Sequence, residues 1–230
     1  MKASRKRLHL AIWPLSHLAI WPVAHFAVLL RASLWWPMTA FSPDGLPLGR
    51  IAGAEAAFFQ EAVSYAARAH RNQLRKDGRT PYVAHVIRAA MTVSWVFGCN
   101  DKIALLSAIL HDTIEDTTTD YDDIAERFGV AVADCVACLT KNMAMPEAAR
   151  EAEYDARIAS GPWQARLVKL ADVYENLCDL EDLPESTRPK KAADAIDRAR
   201  RALRLAQSER ASNPHISRAC DTLEHLLKHF

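Results

Sequence analysis

The chain has 230 residues, of which half are apolar and a quarter charged, and this balance excludes a disordered or fibrous protein. The length fits one domain with an appendage and leaves little room for two catalytic domains. With 29 basic and 28 acidic residues, the total charge gives no sign of a nucleic-acid-binding protein. Only seven residues are glycine, which disfavours turn-rich all-β folds and favours helices.

The N-terminal segment differs from the rest of the chain. The first 43 residues hold five basic side chains and no acidic one, so the remainder holds 24 basic and 28 acidic residues. Residues 9–30 repeat an eight-residue pattern, HLAIWPLS, HLAIWPVA and HFAVLL. Its prolines would break a helix, and its period fits neither a coiled coil nor a solenoid. Because Met38 offers a natural start, we expect residues 1–37 to be a poorly structured, dispensable or mis-assigned extension, with membrane association as the alternative.

From residue 52 onward, apolar residues recur at spacings of three and four, which predicts helices. Asp101 and Asp120 stand where N-caps are expected, and Gly98 and Gly129 stand where helices should end. The connection over residues 75–82 has room for one small hairpin. The predicted fold class is therefore all-α, with helices over 54–71, 83–97, 102–112, 120–128, 130–141, 147–159, 163–180, 188–208 and 213–229.

Two features of composition bear on location and partners. Five cysteines, an odd number without zinc-ribbon spacing, favour free thiols in a reducing cytoplasm. The run from Arg188 to Arg210 carries apolar residues on one side and basic residues on the other. We interpret its basic side as solvated surface rather than a nucleic-acid patch.

The segment that carries chemistry is HDTIED at 111–116, at the end of an apolar predicted helix. His111 and Asp112 can both reach one divalent metal ion. If the helix continues, Glu115 lies one turn beyond His111, and Asp116 lies one turn beyond Asp112. Burying so many carboxylates requires a counter-charge, and a metal ion supplies it.

Two further segments fit around this one. His85 supplies a second imidazole near the start of a predicted helix, while Asp172 and Asn176 share one face of another. His85, His111, Asp112 and Asp172 could then hold a metal ion with positions left open for water and substrate.

These segments resemble the HD-domain metal-dependent phosphohydrolases, and most closely the hydrolase domain of the RelA/SpoT homologue family in its short single-domain form. The resemblance covers about residues 54–182. It rests on RKDG at 75–78, PYVAH at 81–85, HDTIED at 111–116 and KLAD at 169–172.

The resemblance implies an HD-domain helical bundle at 38–182, with C-terminal helices at 183–230 packed on the same domain. It implies hydrolysis of the nucleotides ppGpp and pppGpp at the 3′ pyrophosphate, which yields GDP or GTP, with one manganese ion as cofactor. The implied roles are metal binding by His85, His111, Asp112 and Asp172, water activation by Glu115 and Asp116, and substrate contacts by Arg75, Lys76 and Asn176.

One departure and two alternatives accompany this resemblance. The bifunctional members commonly read ADRxHN where this chain reads ADVYEN at 171–176, so an arginine and a histidine are absent. The same chemistry on another nucleotide, such as a phosphatase acting on NADPH, stays open, as does a non-catalytic nucleotide sensor. The expected partner is a small nucleotide, with no nucleic acid, and no membrane unless residues 1–37 are functional; a homo-oligomer is left open.

Overall fold

A buried apolar helix, α3 (Lys102–Leu110), occupies the centre of the fold. The computed structural model describes residues 53–183 and 185–230. The α3 sequence KIALLSAIL is apolar on nearly all sides, and such a helix has to be surrounded by other elements. Leu106 and Leu110 are fully buried. Asp101 caps the helix as predicted, since its carboxylate accepts a hydrogen bond from the Ala104 N–H at 2.9 Å.

The other helices surround α3. In chain order they are α1 (Gly53–Ala69), α2 (Val83–Met91), α4 (Thr113–Asp116), α5 (Tyr121–Phe128), α6 (Val130–Leu139), α7 (Glu147–Ser160), α8 (Trp163–Cys178), α9 (Arg188–Ala206) and α10 (Pro214–Leu226). A π-helical turn, Thr92–Val96, continues α2, and 3₁₀ turns follow α8, α9 and α10 at Asp179–Asp182, Gln207–Glu209 and Leu227–His229.

Two apolar clusters meet at α3. Leu106 and Leu110 pack with side chains of α1, α2, α5 and α6, whereas Ala104 and Ala108 pack with α6, α8, α9 and α10. Helix α8 is buried along most of its length because α2, α3, α9 and α10 all cover it. The end of α3 and the middle of α8 therefore meet inside the bundle, which is where the sequence places its polar motifs.

The all-α prediction is confirmed, and the predicted helices are present in the described ranges. Asp120 and Asp123 form a capping box at the start of α5. Gly98 and Gly129 have φ values of 70° and 95° at helix boundaries, a conformation that favours glycine. The connection at 75–82 contains one antiparallel bridge, between Leu74 and Pro81, and no strand is found in the described ranges.

Some predictions concern residues beyond this description. The extension predicted at 1–37 lies outside the described residues, and the boundary at 182/183 stays a prediction. In the described part of the chain, no helix is both long and apolar enough to cross a membrane.

Candidate metal centre and substrate cleft

Two buried imidazoles face two carboxylates at the end of α3. His85 lies in the first turn of α2, His111 and Asp112 directly follow α3, and Asp172 lies in α8. His85 Nε2 is 3.5 Å from Asp112 Oδ2 and 3.3 Å from Asp172 Oδ1. His111 Nε2 is 3.1 Å and 3.9 Å from the same two oxygens. The structure thus brings together the four residues that the sequence predicts as metal ligands.

The helix does not continue through this segment. Thr113 Oγ1 donates a hydrogen bond to the Leu110 carbonyl at 2.7 Å, and His111 Nδ1 lies 2.9 Å from the Ala108 carbonyl. These side chains occupy carbonyls at the end of α3, and α4 begins only at Thr113. Neighbouring residues of a continuous helix point about 100° apart. The break therefore lets His111 and Asp112 direct their side chains to one point.

The imidazole nitrogens and carboxylate oxygens form a donor set that fits a divalent metal ion. A carbonyl only accepts hydrogen bonds, so His111 Nδ1 carries the proton and Nε2 presents its lone pair to the site. That Nε2 is buried and makes no well-aligned hydrogen bond, although Asp112 Oδ2 lies 3.1 Å away. Ligand atoms of His85, His111 and Asp112 all lie within 4.8 Å of one another, and ligands on opposite sides of an ion stand about 4 Å apart.

The carboxylates attract positive charge to this buried point. Burial opposes protonation of the imidazoles, yet hydrogen bonds with Asp112, Asp172 and Glu175 raise the pKa of His85 well above its ordinary value. Burial also opposes ionisation of Asp112, but the charge of His111 holds the pKa of this carboxyl well below its ordinary value. A divalent cation would balance the negative charge of these carboxylates, and it would compete with protons for the imidazole nitrogens.

The two acidic residues of α4 lie beside this group. Glu115 Oε2 accepts a hydrogen bond from the Lys141 backbone N–H at 2.7 Å. Burial and the negative charges of Asp112 and Asp116 raise the pKa of Glu115. Burial and the charge of Asp112 likewise raise the pKa of Asp116. A raised pKa makes each carboxylate a stronger base, which suits proton abstraction from water.

Arg75 and Asn176, both predicted to contact the substrate, form a chain of hydrogen bonds that reaches the predicted metal ligand Asp172. Arg75 is buried, and its guanidinium donates hydrogen bonds to Asp179 Oδ2 at 2.8 Å, Glu175 Oε2 at 3.1 Å and Asn176 Oδ1 at 3.0 Å. Asn176 Nδ2 in turn donates to Asp172 Oδ1 at 2.6 Å. Arg75 thus braces the ligand helix α8 as well as lining the cleft.

A cleft of about 250 Å³ opens over the predicted ligands, and Lys76, Lys169 and Arg198 line it. A smaller adjoining cavity of about 70 Å³ shares these three residues and adds Lys191 from α9. Its apolar lining comes from Val173, Leu180, Leu183 and Ala195. Such a lining offers cations for phosphate groups and an apolar surface for a ring.

Comparison with known proteins agrees with this geometry. The sequence model of the HD domain matches residues 62–198, a range that contains every predicted site residue. The human guanosine-3′,5′-bis(diphosphate) 3′-pyrophosphohydrolase MESH1 is 40% identical over 129 residues, which are 56% of this chain and 72% of the human protein. The Drosophila melanogaster MESH1 is 37% identical over 124 residues, 54% of this chain and 69% of the fly protein.

A solved structure gives the same result. It is described as a metazoan orthologue of SpoT that hydrolyses ppGpp, and it superposes with a TM-score of 0.60 at 30% identity over 73% of this chain and 93% of its own. The chain belongs to the HD-domain family, among the RelA/SpoT homologues.

Membership of the HD-domain family implies a divalent metal ion, and the buried His-His-Asp group provides a place for it. Three further residues lie at or beside this site and were not predicted from the sequence. Lys191 and Arg198 come from the helix interpreted as solvated, and they are seven residues apart, hence on one face of α9. No sequence signal shows which element that face meets. Glu175 is the third such residue. The sequence offered one indication of it, because Glu175 lies in the segment ADVYEN, which differs from the ADRxHN pattern.

Proposed function

We propose that this HD-domain chain hydrolyses ppGpp and pppGpp, adding water to release the 3′ pyrophosphate and leaving GDP or GTP. The observation that carries the proposal is the convergence of His85, His111, Asp112 and Asp172, which line the same cleft as Glu115 and several basic side chains. The activity named for the human and fly relatives supports the choice of substrate.

The proposed cofactor is one manganese ion held by His85, His111, Asp112 and Asp172. Mixed imidazole and carboxylate donors suit such a divalent ion. When bound, the ion supplies Lewis-acid activation of water and of a phosphoryl oxygen. Tyr82 stabilises the ligand set, because its hydroxyl donates a hydrogen bond to Asp112 Oδ2 at 2.6 Å.

Glu115 and Asp116 are the proposed bases. One of these two carboxylates accepts the proton that the attacking water loses, and the raised pKa of each suits it to this step. The Lys141 N–H fixes one Glu115 oxygen and leaves the other for water. Gln73 Nε2 donates to the Asp116 carbonyl at 2.8 Å, which holds the end of α4 in place.

The cleft is the proposed nucleotide site. A nucleotide with pyrophosphates at both the 3′ and 5′ positions carries two separated anionic groups. Lys76 and Lys169 lie near the metal ligands, while Lys191 and Arg198 extend the basic lining along α9. All four cations line the same cavity beside apolar side chains, where they can pair with the anionic groups of such a nucleotide. Asn176 is proposed to contact the ribose or phosphate region.

The direct test is product analysis. The full chain is incubated with ppGpp, NADPH or GTP, in manganese and then in excess chelator, and the products are separated by chromatography. We expect manganese-dependent release of pyrophosphate and GDP from ppGpp. Turnover of NADPH or GTP without turnover of ppGpp would assign the site to another nucleotide, and binding without turnover would assign it to a sensor. A cytoplasmic location stays a prediction.

A further inference from the structure

The carboxylate of Glu175 lies directly behind the metal ligand His85. Glu175 follows Asp172 by three residues in α8, so the two side chains project from neighbouring positions on the helix. Glu175 is 3% exposed, and its Oε2 accepts a hydrogen bond from His85 Nδ1. With Nδ1 acting as the donor, His85 Nε2 is left facing Asp112 and Asp172.

Two arginines hold this carboxylate in turn. Arg88 Nε donates to Glu175 Oε1 at 2.6 Å, and Arg75 Nη2 donates to Oε2 at 3.1 Å. Arg88 and Arg75 also bind Asp179, the first residue of the 3₁₀ turn after α8, at 2.7 Å and 2.8 Å. The four side chains form a closed ring of ion pairs.

The position of Glu175 is also a departure in sequence. It stands where the ADRxHN pattern carries histidine, and a histidine there could not supply a full negative charge. Arg88 of α2 pairs with Glu175. If a neutral residue stood at position 175, Arg88 would have no buried acidic partner at that point. The charges of these residues therefore depend on one another.

From this geometry we propose that Glu175 is a positioning residue of the metal centre. Its carboxylate fixes the tautomer and the ring orientation of His85, and its negative charge makes Nε2 a stronger metal ligand. Glu175 acts through His85 and contacts neither substrate nor reacting atoms. This inference rests on the metal role of His85 within the proposed function, and it does not depend on which nucleotide is hydrolysed.

The test measures metal affinity in the absence of nucleotide. Manganese is titrated into the full chain, and the free ion is followed by its electron paramagnetic resonance signal. We expect Glu175→Ala to weaken manganese binding by about 10-fold to 100-fold, the usual effect of removing such a carboxylate. Glu175→Gln keeps an acceptor for His85 without the charge, so it should have a smaller effect in the same direction. If Glu175→Ala does not fold, as judged by circular dichroism, Glu175→Gln carries the test.

Asp179→Asn is the matched control, because Asp179, in the 3₁₀ turn directly after α8, binds the same two arginines and lacks the contact with His85. It should bind manganese within about threefold of the unaltered chain. In a His85→Ala background, Glu175→Gln should have no further effect on affinity. Equal losses in Asp179→Asn and Glu175→Gln would reduce Glu175 to a structural role and overturn the proposal, as would unchanged affinity in the Glu175 variants. Failure of the unaltered chain to bind manganese would instead overturn the proposed function together with this inference.

Discussion

The Glu115 carboxylate and the Lys141 backbone N–H are joined by a hydrogen bond of 2.7 Å that crosses from α4 to the end of α6. A backbone donor cannot change rotamer, so it fixes one carboxylate oxygen relative to the bundle. Lys141 also binds Glu151 of α7 through its Nζ at 2.7 Å, which holds the segment carrying this N–H. The proposed base is therefore positioned by the fold and not by the substrate.

Asp112 and Glu115 variants should fail in different ways. Glu115→Gln keeps an acceptor for the Lys141 N–H but cannot take a proton, so kcat should fall by about 10²-fold to 10⁴-fold with manganese affinity retained. Asp112→Ala removes a ligand and should lose the metal ion. Metal content after dialysis, together with steady-state kinetics, separates the two. Equal metal content with full activity in both variants would contradict these assignments.

Lys191 and Arg198 should affect substrate binding more than chemistry. Each is exposed and lies in the cleft lining, so replacing either with alanine should raise KM about threefold to tenfold, in line with ~1 kcal/mol for an exposed charge. Because neither side chain is proposed to hold the metal ion or to accept the proton from water, kcat should change little. Lys190→Ala is the control, since Lys190 is exposed on the same helix but does not line the cleft. An equal rise of KM in the control would indicate a general effect of charge.

The sequence predicts helices well here because the apolar periodicity and the caps agree locally. Asp101 and Asp120 cap α3 and α5 through contacts with residues only three positions away, and short-range contacts are visible in a sequence. The break after Leu110 was harder to predict, because it depends on His111 and Thr113 competing for backbone carbonyls. The role of Arg198 was not predictable, since it depends on where α9 packs.

Lys76 should make substrate binding sensitive to alkaline pH. Although Lys76 is exposed, desolvation by the cleft walls and the positive charges of Arg75, Arg198 and Lys191 lower the pKa of its ammonium. A bound phosphate favours the charged ammonium and raises that pKa. Binding is thus strongest below the pKa of the free protein and weakens as pH rises through it. When KM is measured between about pH 8 and 10, it should begin to rise at a lower pH than the ordinary lysine pKa would give. Lys76→Arg should remove this rise, because arginine stays charged over the whole range. An identical profile in Lys76→Arg would exclude Lys76 as its source.

Residues 1–37 should be dispensable for catalysis. The prediction follows from the repeated, proline-interrupted sequence of that segment and from its separation from the family match, which begins at residue 62. A chain that begins at Met38 should keep kcat and KM for ppGpp within about twofold and should keep its melting temperature. The full chain, prepared in parallel, is the reference. A lower melting temperature or a change in KM would assign residues 1–37 a role in the folded enzyme.

Arg166 should be essential for stability because it connects three elements from a buried position. Its Nη1 donates to the carbonyls of Ile158, Ala159 and Gly161 at 2.6–3.0 Å, and its Nε donates to Glu209 at 2.8 Å. Arg166→Ala leaves these carbonyls at the end of α7 unpaired and Glu209 without its cation. Because the Glu209 side chain is 27% exposed, the loss should be smaller than for a fully buried pair, at about 2–3 kcal/mol in the free energy of unfolding. Urea unfolding followed by circular dichroism measures this loss, with Arg200→Ala on exposed α9 surface as a control expected to change stability by less than about 0.5 kcal/mol. A loss of under about 1 kcal/mol in Arg166→Ala would mean that water replaces the guanidinium at the end of α7.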